Sequence, residues 1–153
     1  MSNMQLDFPQ DRLRAQVGLK LDATSAIVVS SHSLQTIPYG CLLLYDEADP
    51  LLCTLPQANK PITKPLGISL RHHYGEDYPP KSSIAILRQG RVWVLAEKVS
   101  APGDSVYIKF TESGLAQFTG DSKDTLPLSG AIFLEKSDSG LIPIEVNFIG
   151  GVL

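Results

Sequence analysis

The chain carries 3 histidines and 2 cysteines, with serines beside acids at several points, and these are the side chains equipped for catalysis or metal binding. His72-His73 is the first candidate metal site. An extended backbone sends adjacent side chains to opposite faces, so a pair continuing the run Leu66–Arg71 cannot chelate one ion together. His32 is remote, and no carboxylate or thiol stands at a zinc-ligand spacing. These histidines are expected at the surface or a loop edge, with no metal.

Ser137-Asp138-Ser139-Gly140 has the look of a serine-protease nucleophile stretch, and Gly103-Asp104-Ser105 that of a small esterase. Both are equally good turn sequences, because Asp and Ser hydrogen-bond locally and Gly admits positive φ. Neither matches the strained Gly-x-Ser-x-Gly elbow, and a triad further requires a base oriented by a third group. Glu76-Asp77 and Asp46-Glu47-Asp49 lack the calcium-loop pattern and read as solvated turns. Phosphate-binding glycine loops are absent. Trp93, flanked by Val92 and Val94, is expected in the core rather than as a binding anchor. No catalytic, cofactor-binding or metal-binding residue is therefore expected. A third reading, a small hydrolase using Ser105 or Ser139, ranks lowest, and function through surface contact ranks first.

Composition agrees with contact rather than chemistry. Charged residues make up 19% of the 153, against about 25% for ordinary soluble domains. Such a surface suits a protein that lies against other proteins. Net charge is -3 and lysines and arginines do not cluster, which argues against direct nucleic-acid binding, since that requires a basic footprint. No apolar run approaches a membrane span. Met1–Gln16 lacks a basic segment followed by an apolar one, so no secretory signal is expected, and Cys41 and Cys53 suit a reducing compartment.

The elements that would position any site are strands. Ser25–Ser31, Cys41–Tyr45, Leu66–Arg71, Asp104–Phe110, Leu115–Thr119, Ala131–Leu134 and Ile142–Ile149 are β-rich runs separated by turn signals. Ile84–Arg88 and Arg91–Leu95 flank Gln89-Gly90, which predicts a hairpin with both arginines solvated beside the turn. Helical spacing is thin and 11 prolines punctuate the chain. The pattern predicts an all-β fold, a single-domain jelly-roll-like β-sandwich in preference to a small five-stranded barrel. Residues 1–17 form an extended N-terminal arm and 18–153 the sandwich, with Leu55–Pro65 as an extended loop.

From Ile84 to Asn147 the chain resembles the cement (head-stabilising, decoration) proteins of tailed bacteriophages. The resemblance rests on AILRQGRVWVLAEKV (Ala85 to Val99), APGDSVYIKF (Ala101 to Phe110), Leu126-Pro127, Ala131 to Leu134 and Gly140 to Phe148. Upstream, Ile37-Pro38-Tyr39-Gly40 and Leu66-Gly67-Ile68-Ser69-Leu70-Arg71 fit the same family pattern. Leu51-Leu52-Cys53 and Leu55–Pro65 have no counterpart in it. The resemblance implies a non-enzymatic β-sandwich on the outer surface of an icosahedral head, made in the host cytoplasm. Its implied partner is the major capsid protein, whose capsomers it cements against packaged DNA. A homodimer or homotrimer is the natural symmetric arrangement. Met4, Leu6 and Phe8 of the arm would lay apolar side chains on a neighbouring subunit, and Arg12 and Arg14 would pair with acids there. A jelly-roll carbohydrate-binding module on a virion or cell surface is the alternative reading.

Overall fold

Alternating apolar and polar side chains, rich in Val, Ile and Phe, fit a pleated half-buried surface far better than a helix. The computed structural model describes residues 16–21, 25–58, 60–62, 64–72, 75, 77–112 and 114–149, and these contain no helix. The strands are β1 (Ile27–His32), β2 (Ile37–Pro38), β3 (Leu42–Tyr45), β4 (Cys53–Thr54), β5 (Pro65–Ser69) and β6 (Asp77–Tyr78). After them come β7 (Ser83–Val99), β8 (Ser105–Phe110), β9 (Ala116–Thr119), β10 (Leu126–Phe133) and β11 (Ser137–Asn147). The all-β expectation holds.

One nine-stranded sheet organises the chain, and its spine is β7. The C-terminal half of β7 pairs with β11, which pairs with β10, then β8, then β9, and β9 returns to β7 in parallel. The hydrogen bonds thus close into a ring. The N-terminal half pairs on one side with β1 and on the other with β5, which continues to β3 and β4. An isolated parallel bridge between His32 and Leu52 closes this second ring. The strand order is thus a pair of closed rings sharing one strand, and it does not establish the jelly-roll arrangement. A small barrel, ranked second on sequence, describes the C-terminal ring.

Each ring has its own apolar filling. Val92, Val94, Val106, Ile108, Phe118, Phe133, Ile142 and Ile144 pack in the first, and Leu42, Ile68, Leu70 and Leu87 from the other ring reach into it. Ile37, Tyr39, Leu43, Cys53, Leu66, Tyr78, Ile84 and Ile86 fill the second. Each such side chain contributes about 1.5–3 kcal/mol on burial, enough for the shared wall to hold the rings together.

Gln89-Gly90 is not a hairpin turn: β7 runs through it unbroken for 17 residues. Gln89 pairs with both Ile27 and Asn147, and Gly90 with Val146, so partner strands on both flanks hold the segment extended. Gly90 is still needed, because its φ of 141° is closed to other residues. There the even-numbered face of β7 passes from one core (Ile84, Ile86) to the other (Val92, Val94). Arg88, expected in solvent, lies at this crossing with 9% exposure. Arg91 is half-exposed and paired with Glu145 at 2.9 Å. Trp93 is not a core residue either; it stands half-buried on the outer face of β7, opposite Val92 and Val94.

Candidate functional site

Among the described residues, none of the chemically equipped side chains assembles a cluster fit for catalysis or a metal. Among the described residues there is no cluster of three or more His, Cys, Asp and Glu able to hold a metal. His72 is exposed beyond the end of β5, with its ring 6.3 Å from that of Tyr78, and His73 lies outside the described residues. Asp104 accepts hydrogen bonds from the backbone N–H of Ser100 (3.0 Å) and Ala101 (2.9 Å), so its carboxylate closes the turn before Ser105. Ser139 is exposed on β11, and Ser137 Oγ donates to its carbonyl at 3.1 Å. Asp46 and Asp49 are used in the same way, accepting from the N–H groups of Ala48 (2.8 Å) and Leu51 (3.0 Å). Turn closure accounts for all of these acids.

Both cysteines are free thiols. Cys53 is buried in the second core, and desolvation there raises its pKa despite the neighbouring Ser31 hydroxyl, which opposes the shift. Burial pushes the Cys41 thiol up to about 11. Neither is a reactive thiolate at neutral pH.

What the surface offers instead is apolar contact area on rigid supports. β1 carries Ile27 and Val28 side by side, and both are exposed to solvent. Among the described residues β1 pairs only with β7 from Ile27 to Ser31, which leaves its second edge open until the bridge at His32. Beside that end stand the two most exposed large apolar residues of the molecule's described part, Leu34 (65%) and Leu51 (80%). Neither loop is loose. Ser31 Oγ donates to Leu51 O at 3.1 Å, and Gln35 Oε1 accepts from Thr54 Oγ1 (3.0 Å) and Leu55 N–H (3.2 Å). Ser33 Oγ accepts from Gln35 N–H at 3.1 Å.

β1 and Leu34 stand in a stretch without fixed charge, while Leu51 follows Asp49, whose carboxylate closes its turn. No Asp, Glu, Lys or Arg stands between Asp22 and Asp46, nor between Asp49 and Lys60. Those two charge-free runs were a legible signal that strand patterning alone passes over. Interface centres are depleted of charge in the same way, since burying an unpaired charge is costly.

A second apolar feature is a groove of about 420 Å³ between the rings, lined by the 39–42 turn, Leu55 and Pro56, β7 at 95–97 and β9 with the loop before it. Leu95 (57% exposed) and Leu115 (56%) stand among its walls. Glu97, the one charge in its lining among the described residues, lies 3.4 Å from Lys109. Met4, Leu6, Phe8, Arg12 and Arg14, the expected interface residues of the arm, lie outside the described residues.

The sequence profile of the structural cement protein family (E217 gp24/Pam3 gp6) matches residues 11–147. A chain from the capsid of Myoviridae phage XM1 superposes with a TM-score of 0.67 at 17% identity, covering 86% of this chain and 89% of that one. At that identity the likeness shows a shared fold. The N base of head fiber gp8.5 of bacteriophage phi29 aligns at 14% identity over 81% of this chain and 96% of that one, but its TM-score of 0.47 carries no argument. No curated protein sequence matches.

Proposed function

The chain belongs to the structural cement protein family of bacteriophages and is a structural, non-enzymatic virion protein of the capsid, and from that premise we propose that it binds the outer surface of the head and cements neighbouring capsomers of the major capsid protein. The observation that carries the outward-binding part is the exposed apolar face of β1, Leu34 and Leu51. Its apolar side chains sit on closed rings and tied loops, so little ordering entropy is lost on docking and a modest area suffices for binding. The open edge of β1 adds a second means of contact, since an extended segment of the capsid can pair with its free N–H and C=O groups. The arm contributes Met4, Leu6 and Phe8 to a neighbouring subunit, with Arg12 and Arg14 paired to acids there. A homodimer or homotrimer would repeat these contacts over the lattice.

Many weak copies then act together. Outward force from packaged DNA must break every contact spanning a capsomer junction, so modest individual affinities add along the shell. Co-sedimentation of the protein with heads lacking it, followed by heating to monitor DNA release, tests the reading. Saturable binding and a raised release temperature are expected. Failure to bind mature or expanded heads would refute it, and a glycan array would then examine the carbohydrate alternative.

A further inference from the structure

Trp93 is the one tryptophan of the chain, and neither core contains it. It stands on the wall that β7 and β11 share, and the strand register fixes its neighbours. Val92, Val94, Ile142 and Ile144 are buried inside the first ring, so the alternate residues of both strands point outward. On that outer face Arg91 stands beside Glu145, Trp93 beside Pro143 and Leu95 beside Leu141.

The tryptophan is held rigidly. Its N–H donates to Leu19 O at 3.0 Å and its carbonyl accepts from Gly18 N–H at 2.8 Å, so both backbone groups point away from β11. Trp93 and Pro143 are therefore a non-hydrogen-bonded pair, the kind whose side chains approach most closely, and the indole lies beside a stiff pyrrolidine ring. A tryptophan fixed among apolar neighbours on an outer face is well suited to anchor a protein contact.

The flanking strands extend the wall. On the β7 side Leu21 stands in register with Arg91, through the antiparallel bridge of Lys20 with Val92 and the bond from Leu21 N–H to Arg91 O. On the β11 side Ile132 of β10 stands beside Glu145. One row across the wall thus reads Leu21, Arg91, Glu145, Ile132. The next reads Leu19, Trp93, Pro143, Leu134, with Leu134 N–H donating to Pro143 O at 3.0 Å. Each row is apolar at both ends and has two unlike partners at its centre. Leu95 and Ile132 are exposed, and Arg91 and Glu145, 2.9 Å apart, are both half-exposed.

A surface ordered in this way is its own complement. Consider a two-fold axis in the plane of contact, parallel to the strands and midway between β7 and β11. It lays each row over the same row reversed. Arg91 of each copy meets Glu145 of the other, Trp93 lies over Pro143, and Leu95 over Leu141. We infer that this wall joins two copies of the chain face to face, with Trp93 as its anchor. A foreign surface would have to supply an acid and a base at matching places, which a second copy does by symmetry. The inference rests on the reading above only in choosing its homodimer over its homotrimer, because a two-fold alone sets one patch against itself. Two copies joined here carry two β1 faces, one for each of two capsomers. The wall is small beside the roughly 800 Å² a side of a standard interface, so association in solution is weak, with a Kd on the order of 10–100 µM.

Sedimentation velocity of the full chain from about 5 to about 500 µM tests it, and a monomer–dimer equilibrium within that range is expected. Arg91→Glu sets like charges against Glu145 across the axis, and Glu145→Arg does so against Arg91; each should weaken self-association at least about tenfold. An equimolar mixture of the two variants should restore dimer, because the acids of one copy then meet the bases of the other. A pair acting only within one chain cannot be rescued by mixing. Leu95→Glu, at an exposed position, should also leave the chain monomeric, and it decides the matter if a charge variant fails to fold. A native chain that stays monomeric throughout would overturn the inference, as would a trimer. So would variants that associate as well as the native chain, or a mixture no better than its components. No capsid enters these measurements. Dimers that fail to bind heads would refute the capsid reading alone, and monomers that bind heads would refute this inference alone.

Discussion

Arg88 should be the side chain whose loss does most to separate the two rings. It is 9% exposed at the point where β7 passes between cores. Its Nη1 donates to Leu66 O on β5 and to the Tyr45 hydroxyl on β3, each at 2.9 Å, and its Nη2 donates to Phe148 O at 3.2 Å. Phe148 N–H donates in return to Arg88 O at 2.9 Å. No carboxylate is paired with it among the described residues; carbonyls, the Tyr45 hydroxyl and the Tyr45 ring, 5.7 Å from the guanidinium carbon, stand in place of a counter-ion. Truncation in Arg88→Ala leaves two carbonyl oxygens without their donor in a buried setting, at roughly 1–3 kcal/mol each. Removing the charge returns part of its desolvation penalty, so the net loss should be about 2–4 kcal/mol. For a chain of this size each kcal/mol moves Tm by about 2–4 °C, which predicts a fall of roughly 5–15 °C. Calorimetry with urea unfolding would read it. Arg88→Lys keeps the charge but replaces a planar fork by one point donor, and should fall between. Tyr45→Phe removes a single, half-exposed bond, for about 0.5–1 kcal/mol. If Arg88→Ala lies within about 0.5 kcal/mol of the native protein, the guanidinium is not the tie between β5 and the end of β11, and the reasoning fails.

Three other outcomes follow from the same geometry. Gly67→Ala places a Cβ against the Leu87 carbonyl oxygen and the Ile86 side chain, forcing β5 away from β7; a loss of about 2 kcal/mol or more in urea unfolding is expected, and a neutral result would contradict the close approach. Because the Cys41 thiol is pushed up to about 11 while the unfolded thiol stays near 9.0, folding keeps it neutral: the stability this contributes is complete below about pH 9 and fades between about 9 and 11, and alkylation of Cys41 at pH 8 should be on the order of 100-fold slower than for an exposed cysteine, rising about tenfold per pH unit. Leu34→Asp and Leu51→Asp should leave Tm within about 1 °C, since both side chains are exposed, yet weaken binding to heads by tenfold or more per site in co-sedimentation; unchanged binding would move the capsid-facing surface elsewhere.

Strand existence was legible because alternation is a local property. Ser105–Phe110, Ala116–Thr119 and Leu42–Tyr45 lie within a residue of where apolar patterning puts them. Turn acids were legible in the same way: Asp46 and Asp104 each accept from a backbone N–H two or three residues away. Other features depend on partners distant in the chain. Cys53–Thr54 and Asp77–Tyr78 are strands only because Leu44 and Ile37 stand opposite them, and two residues carry no period to detect. Gln89-Gly90 has the composition of a turn, and any window centred on it predicts one. It stays extended because β1 and β11, which lie far upstream and far downstream of it in sequence, both pair across it. Arg88 was assigned to solvent for the same reason. A turn would have exposed it, whereas the continuous strand carries it between two cores where, among the described residues, backbone carbonyls and one tyrosine receive its charge. Sequence determined that this chain is a strand-rich body, because period is written residue by residue. Tertiary structure alone decided that one strand serves two rings, leaving an exposed apolar face and an apolar groove outside, because pairing energy is settled only when both partners have arrived.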